Sequence, residues 1–313
     1  MLKVGIQLYS VRRRMKKDPI ETIKKVVKAG YKYIETANHN ADMDLGLGFG
    51  LSLSQAKNLL DRLDAEVISA HISPLDLKRS EYLNRVLEFQ REIGVKYVAT
   101  NLHDFESPDV TMRYVDHLNV LGGVCKKHGI QLLYHNHFLE FKKFENGDCA
   151  FDLMMRETGE DLLKIQLDTY WAMRGMEDPI GLMKRYGKRV RVLHQKDYPK
   201  GKESDINILA EYDLLHAAAA EKGELVNDYD RDTLTARELD EKALKLFLPI
   251  IHEDAFVEIG EGVMPIQDII NAANEHCGSE FIILEQDFTR LDELGSIRVS
   301  MNHFKNFDGV VFS

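Results

Sequence analysis

The sequence predicts an α/β chain folded as a closed (β/α)8 barrel, one domain over residues 1–313. Short apolar, β-branched runs alternate with amphipathic stretches from end to end, as expected of strands buried on both faces. Segments ending in His135 and His137, Asp168, His194 and Glu285 each close such a run with a side chain able to bind a metal. Residues that far apart in sequence meet only if successive strands deliver them to one place. A parallel barrel does so at the C-terminal ends of its strands.

The strands expected are Val4–Leu8, Tyr33–Glu35, Val67–His71, Tyr97–Thr100, Gln131–His135, Ile165–Asp168, Val190–His194 and Phe281–Glu285. Helix punctuation falls between them. Asp18-Pro19-Ile20-Glu21 supplies a cap, a proline at the first helical position and an acid in the first turn, and Gly30 ends that helix. Asp178-Pro179 repeats the device before Ile180–Tyr186. Ser80 opens a helix through Glu92, closed by Gly94, and Lys127-His128-Gly129 closes another. The exception is a long helical insertion between strands 7 and 8, about residues 198–255, holding an alanine-rich piece (Leu214–Ala220) and an acidic-basic piece (Thr235–Leu248). It reads either as a surface excursion or oligomer contact, or as a lid over the strand ends.

Composition narrows the class. A hydrophobic share of 44% with 29% charged residues suits a soluble globular chain that needs no covalent staples. Cys125, Cys149 and Cys277 show no CxxC spacing, which argues against a disulfide framework and for the reducing cytoplasm. No signal-peptide pattern opens the sequence, and no apolar run nears the roughly 20 residues of a membrane span, so no membrane partner is expected. A net charge of −10 disfavours nucleic acid. The partner expected is a small polar molecule.

The chemistry concentrates at the strand ends. An ionised Asp168 closing a hydrophobic strand is costly unless it is paired or bound to a cation; capping the next helix is its plainer role. His194 and Lys196 share a face by strand alternation, with Asp197 beside them. Glu285 follows apolar residues and lies deep, as metal ligand and proton carrier or as half of a buried ion pair. His135 and His137 also share a face; one could bind metal while the other contacts substrate, with Glu140 orienting one of them. The metal set is therefore Asp168, His194, Glu285 and His135, and the catalytic set Glu285, Lys196 (its pKa lowered by a nearby cation) and His137. Substrate contacts are expected from Gln7, Glu35, His71, Asn101, His137 and Trp171, with His103 near Asn101. The run Arg12-Arg13-Arg14 with Lys16 and Lys17 reads as a solvated loop, with a substrate-phosphate role as the alternative. A mixed Asp/His/Glu set suits Mn2+ first, with Zn2+, Co2+ or Mg2+ as alternatives. No glycine-rich phosphate cradle or serine nucleophile elbow appears; Gly260-Glu261-Gly262 is too short for the former.

The segments Gly5–Arg12 (GIQLYSVR), Tyr134–Phe141 (YHNHFLEF), Leu167–Trp171 (LDTYW), Leu193–Asp197 (LHQKD), Ile259–Gly262 (IGEG) and Leu284–Asp287 (LEQD) resemble the xylose isomerase-like TIM-barrel family. This is the sugar phosphate isomerase/epimerase group, with inosose dehydratase-like and tagatose epimerase-like enzymes. The resemblance runs nearly end to end and is specific to the superfamily, not to one reaction. It implies a divalent metal held by a Glu on strand 5, an Asp on strand 6, a His on strand 7 and a Glu on strand 8. The last three map onto Asp168, His194 and Glu285, whereas strand 5 offers His135 and His137. It implies a sugar or polyol isomerase/epimerase that abstracts a proton next to a carbonyl and stabilises the enediolate. The missing glutamate removes half of the acid/base pair of the epimerases and shifts weight toward a lyase or dehydratase of a keto-sugar or inosose. A DNA-repair endonuclease on the same barrel is disfavoured by the acidity, and a non-catalytic sugar-binding barrel would hold no metal. Relatives in the group are often oligomeric, so a homo-oligomer is a further expectation.

Overall fold

Strand β1 (Leu2–Gln7) pairs in parallel with β2 (Tyr33–Asn38) on one side and with β8 (Phe281–Leu284) on the other, so the sheet closes on itself. Between them run β3 (Glu66–Ile72), β4 (Tyr97–Thr100), β5 (Gln131–His135), β6 (Leu163–Asp168) and β7 (Val190–Gln195), each parallel to its neighbours. A two-residue strand, Val310–Val311, adds outside β1. This computed structural model describes residues 1–101, 105–226, 230 and 235–312, with backbone alone at 236, 240, 243 and 246. The (β/α)8 barrel expected from the strand pattern is the fold observed.

Strand positions follow the apolar runs to within a few residues at each end. Two differences matter. Leu8 leaves β1 to open a 3-10 turn (Leu8–Val11), and Arg12–Met15 forms one turn of helix instead of a solvated loop. The amides of Arg13 and Arg14 donate to the two carboxylate oxygens of Glu293, at 3.0 Å each, which binds the basic run to the last helix, Glu293–Phe304. Glu285 lies one residue beyond β8, whose last paired residue is Leu284.

Capping is as read from the sequence. Asp18 accepts from the amide of Glu21 at 3.0 Å at the start of Pro19–Lys28, and Asp178 accepts from Ile180 and Gly181 before Pro179–Tyr186. Gly30, Gly94 and Gly129 take positive φ just past their helices. Residues after β7 form the helices Leu209–Glu221 and Ala236–Phe247 before the chain returns to β8. Among the described residues, no helix is long and apolar enough to cross a membrane.

The barrel interior has two layers. The lower is apolar: Tyr33, Ile68, Tyr97, Ala99, Leu133, Val192, Phe281 and Ile283 form one buried cluster. Gly5 belongs there because a Cβ would meet Ile283 Cδ1 at 2.5 Å and the Tyr33 carbonyl at 2.6 Å. Strand alternation then places the next inward side chains two residues further on. Tyr33 is followed by Glu35, Leu133 by His135, Val192 by His194 and Ile283 by Glu285. The upper layer is therefore polar, and register sets its neighbours: Gln7 lies opposite Glu35, His135 opposite Gln166, and Asp168 opposite His194.

Asp197, expected to add to the charge at the end of strand 7, has a structural task. Its carboxylate accepts from the amides of Tyr198 (2.9 Å), Gly260 (2.9 Å), Gly262 (3.0 Å) and Met264 (3.1 Å). It thereby fixes the Ile259–Gly262 turn against β7. Glycine is required at 262, where a Cβ would lie 2.1 Å from Asp197 Oδ1. Asp197→Ala strands these buried donors and is expected to cost about 3 kcal/mol or more, read from urea unfolding. Gly262→Ala should destabilise in the same direction.

Candidate metal centre

His135, Asp168, His194 and Glu285 each present a ligand atom within 4.8 Å of the others at the C-terminal mouth of the barrel. All four are buried. The set offers two imidazoles and two carboxylates, donors suited to a divalent transition ion. His135 Nδ1 is buried with no hydrogen-bond partner, an unmet polar atom inside the cluster. Burial, reinforced by the neighbouring imidazoles, holds the His135 pKa well below the usual histidine value. It is therefore neutral, the form that binds a metal. On donor chemistry and on this unpaired nitrogen, the residues present fit a divalent cation.

Each residue of the cluster is fixed by its element. Asp168 ends β6 and caps the following helix, Thr169–Arg174, by accepting from the Trp171 amide at 2.8 Å. The capping bond and the Lys196 contact thus use different oxygens, Oδ2 facing Lys196 at 2.5 Å. Asn136 grips the Asp168 backbone from β5's extension, with Nδ2 donating to its carbonyl at 3.1 Å and Oδ1 accepting from its amide at 3.0 Å. His194 Nδ1 lies 3.0 Å from Glu285 Oε2, and Nε2 lies 2.6 Å from Glu35 Oε1. The Lys196 ammonium bridges Asp168 and Glu285 and lies 3.8 Å from Asp287 Oδ2.

The charges follow from these contacts. Burial opposes the positive charge on His194, but Glu35 and Glu285 outweigh it and raise the pKa from 6.5 to about 10. Burial likewise opposes the charge on Lys196, and Asp168, Asp287 and Glu285 overcome it, holding the pKa above that of free lysine. The lowered pKa expected of this lysine depends on a cation beside it; with the carboxylates alone it is held the other way. Burial would neutralise Glu35 and Glu285. Their neighbours (His194 and His71 for Glu35, Lys196 and His194 for Glu285) keep both pKa values below the usual carboxylate range.

Several residues expected to touch substrate have other places. Gln7 and Glu35 are fully buried and bonded to each other at 2.8 Å, with Glu35 against His194. His71 bonds Gln166 at 2.5 Å and stacks on His194, with ring centroids 5.3 Å apart. Trp171 is 2% exposed, packed among Tyr170, Phe138, Phe247 and Phe256, with the Lys196 ammonium 5.6 Å from its ring. Asn101 follows β4 and is half-buried, and His103 lies outside the described residues. His137 stands next to the cluster, its ring 5.0 Å from His135 and 4.7 Å from Phe247, which ends the helix Ala236–Phe247. Its Nδ1 is buried and unpartnered. Burial, with the Lys196 charge, lowers its pKa to about 3, so the ring is neutral near neutral pH. Glu140 does not orient a histidine ring: it accepts from the His137 amide at 3.1 Å and from the Tyr134 hydroxyl at 2.6 Å, and burial raises its pKa to about 7.

Three participants escaped the sequence reading. Gln166 and Asp287 each stand two residues from a named ligand, so strand alternation places them on the same side. Asn136, between the two histidines, carried no comparable signal.

Two outcomes test this electrostatic layout in the metal-free protein. Lys196→Met leaves Asp168 and Glu285 without their shared cation and should cost about 3–5 kcal/mol in urea unfolding. The pH profile carries a sign. His194 has a folded pKa near 10 and an unfolded value near 6.5, so its contribution is whole below 6.5 and is lost as pH rises toward 10. Unfolding midpoints should decline across that window, and His194→Gln should flatten the decline.

Comparison with known proteins places these observations. The model of the xylose isomerase-like TIM barrel matches residues 23–307. An inosose dehydratase of Clostridium perfringens is 27% identical over 172 residues, 48% of this chain and 57% of that protein. The chain spans about half the length of the curated relatives it matches. Among solved structures, a sugar phosphate isomerase/epimerase of Parabacteroides distasonis superposes with a TM-score of 0.71 at 21% identity, covering 99% of this chain and 96% of that one. The IolI protein with a bound zinc atom superposes with a TM-score of 0.64 at 13% identity, covering 97% of each chain. The matched model covers most of the sequence, and the chain belongs to the xylose isomerase-like TIM-barrel family.

Proposed function

We propose that this protein is a metal-dependent enzyme that removes a proton next to the carbonyl of a small sugar or polyol ketone. The observation that carries this reading is the convergence of His135, Asp168, His194 and Glu285, with Lys196 among them. A divalent cation, Mn2+ or Zn2+ foremost, supplies electrostatic stabilisation of the oxygen that gains charge when the C–H bond breaks. Glu285, held anionic by Lys196 and His194, takes the proton. The electron pair moves toward the carbonyl oxygen, where the Lys196 ammonium donates a hydrogen bond. The neutral His137 offers an unpaired nitrogen to a substrate hydroxyl. The aromatic packing of Phe247 on His137 and Trp171 limits water at that edge.

Returning the proton to the neighbouring carbon or to the opposite face gives isomerisation or epimerisation. Expelling a β-hydroxyl as water, with one proton supplied by an acid, gives dehydration. Two observations favour the second outcome. Strand 5 carries His135 where a two-glutamate epimerisation uses a carboxylate, and the curated relatives are inosose dehydratases.

One experiment separates these outcomes. The purified protein is incubated with Mn2+ in deuterated water against a panel of keto-sugars and inososes. Isomerisation or epimerisation should carry deuterium into the carbon that regains a proton, and a chelator should abolish turnover of either kind. An unsaturated product absorbing in the ultraviolet identifies dehydration. Glu285→Gln should lower kcat by about 10²–10⁴. Turnover that neither carries solvent deuterium into a carbon-bound position nor gives an unsaturated product contradicts the proposal.

A further inference from the structure

We propose that Glu35 is a positioning residue for the metal centre: it fixes the His194 ring so that Nδ1 faces the other ligands. The inference rests on the reading of His135, Asp168, His194 and Glu285 as a cation site. Glu35 is fully buried and is absent from that ligand cluster. It acts only through what it touches.

Its contacts determine a proton arrangement. An ionised carboxylate only accepts, so every neighbour must donate to it. Gln7 Nε2 reaches Oε1 at 2.8 Å, and His194 Nε2 reaches the same oxygen at 2.6 Å. Gln166 Nε2 reaches Oε2 at 2.5 Å. His71 Nε2 lies 3.2 Å from Oε1 and also donates to Gln166 Oε1. The amide orientations are themselves fixed. Gln7 Oε1 accepts from the Tyr9 amide at 3.3 Å, which turns its NH2 toward Glu35, and Gln166 Oε1 is committed to His71. His194 Nε2 must therefore carry a proton, and Nδ1, 3.0 Å from Glu285, is the nitrogen that gives up its proton when a metal binds. This is the arrangement in which a carboxylate behind a histidine sets its tautomer and ring angle. Four strands build it: β1 supplies Gln7, β2 Glu35, β3 His71 and β6 Gln166.

The network also supplies the control. In Glu35→Gln the new NH2 group meets the NH2 of Gln166, two donors face to face. In the exchanged pair Glu35→Gln with Gln166→Glu, every hydrogen bond has a partner again. The amide of residue 35 then donates to the new carboxylate, its carbonyl accepts from His194 and Gln7, and the carboxylate still accepts from His71. The charge has moved by one residue, but the acceptor facing His194 has returned.

The test measures zinc affinity by competition with a chromophoric chelator, alongside thermal melting, for the full chain. Wild type should bind one zinc. Glu35→Gln should bind about 10–100-fold more weakly, and the exchanged pair should recover most of that loss along with its stability. Unchanged affinity in Glu35→Gln overturns the positioning role and leaves the cation site standing. Recovery of melting temperature without recovery of affinity also overturns it, because the hydrogen bond would then be structural only. Wild type that binds neither zinc nor manganese overturns the cation site itself, and the inference with it.

Discussion

A single imidazole held by a carboxylate on each nitrogen is the contact around which the mouth of this barrel is organised. His194 sits between Glu35 and Glu285 with no exposure to solvent. A charged ring in that position is stable only because two anions outweigh the cost of its burial. The anions in turn need cations, and Lys196 completes the balance by joining Glu285 to Asp168. Removing any one member strands a charge in an enclosed space. The cluster is consequently costly to assemble and specific in geometry, as expected of a site built to hold something.

The barrel makes this arrangement affordable by separating its interior into an apolar floor and a polar ceiling. Tyr33, Leu133, Val192 and Ile283 fill the lower level, and the inward residues two places further on form the upper one. Period-2 alternation transmits the position of the floor directly to the ligands. Gly5 lets β1 approach its neighbours closely, and Asp197 secures the turn that follows the long excursion between β7 and β8. The excursion meets the site at Phe247, on His137 and Trp171, and reaches the far rim through the Arg237–Asp42 ion pair.

The sequence disclosed the fold well because buried parallel strands are continuous apolar runs, and their ends are marked by the polar residues that follow. It pointed to the buried cluster for the same reason: Asp168, His194 and Glu285 each interrupt such a run. It was less informative about depth. Gln7, Glu35 and His71 look the same in sequence whether a strand-end polar group faces a cavity or a neighbouring strand. Only the register of Gln7 with Glu35, and the reach of Gln166 across the barrel, turns them into a supporting layer. The strand-5 histidines were ambiguous for a related reason. Both lie on one side, but β5 ends at His135, and His137 swings toward Trp171 and Phe247. For Lys196 the sequence does not reveal the carboxylates that β6 and the segment after β8 bring to it.

The most direct test of this account is the anomalous diffraction of a crystal soaked in Mn2+. The account predicts a single ion with a nitrogen from His135, a nitrogen from His194 and carboxylate oxygens from Asp168 and Glu285, each at about 2.0–2.2 Å. An ion bound elsewhere, or a cluster that excludes Mn2+ while Lys196 keeps both of its carboxylates, would contradict it.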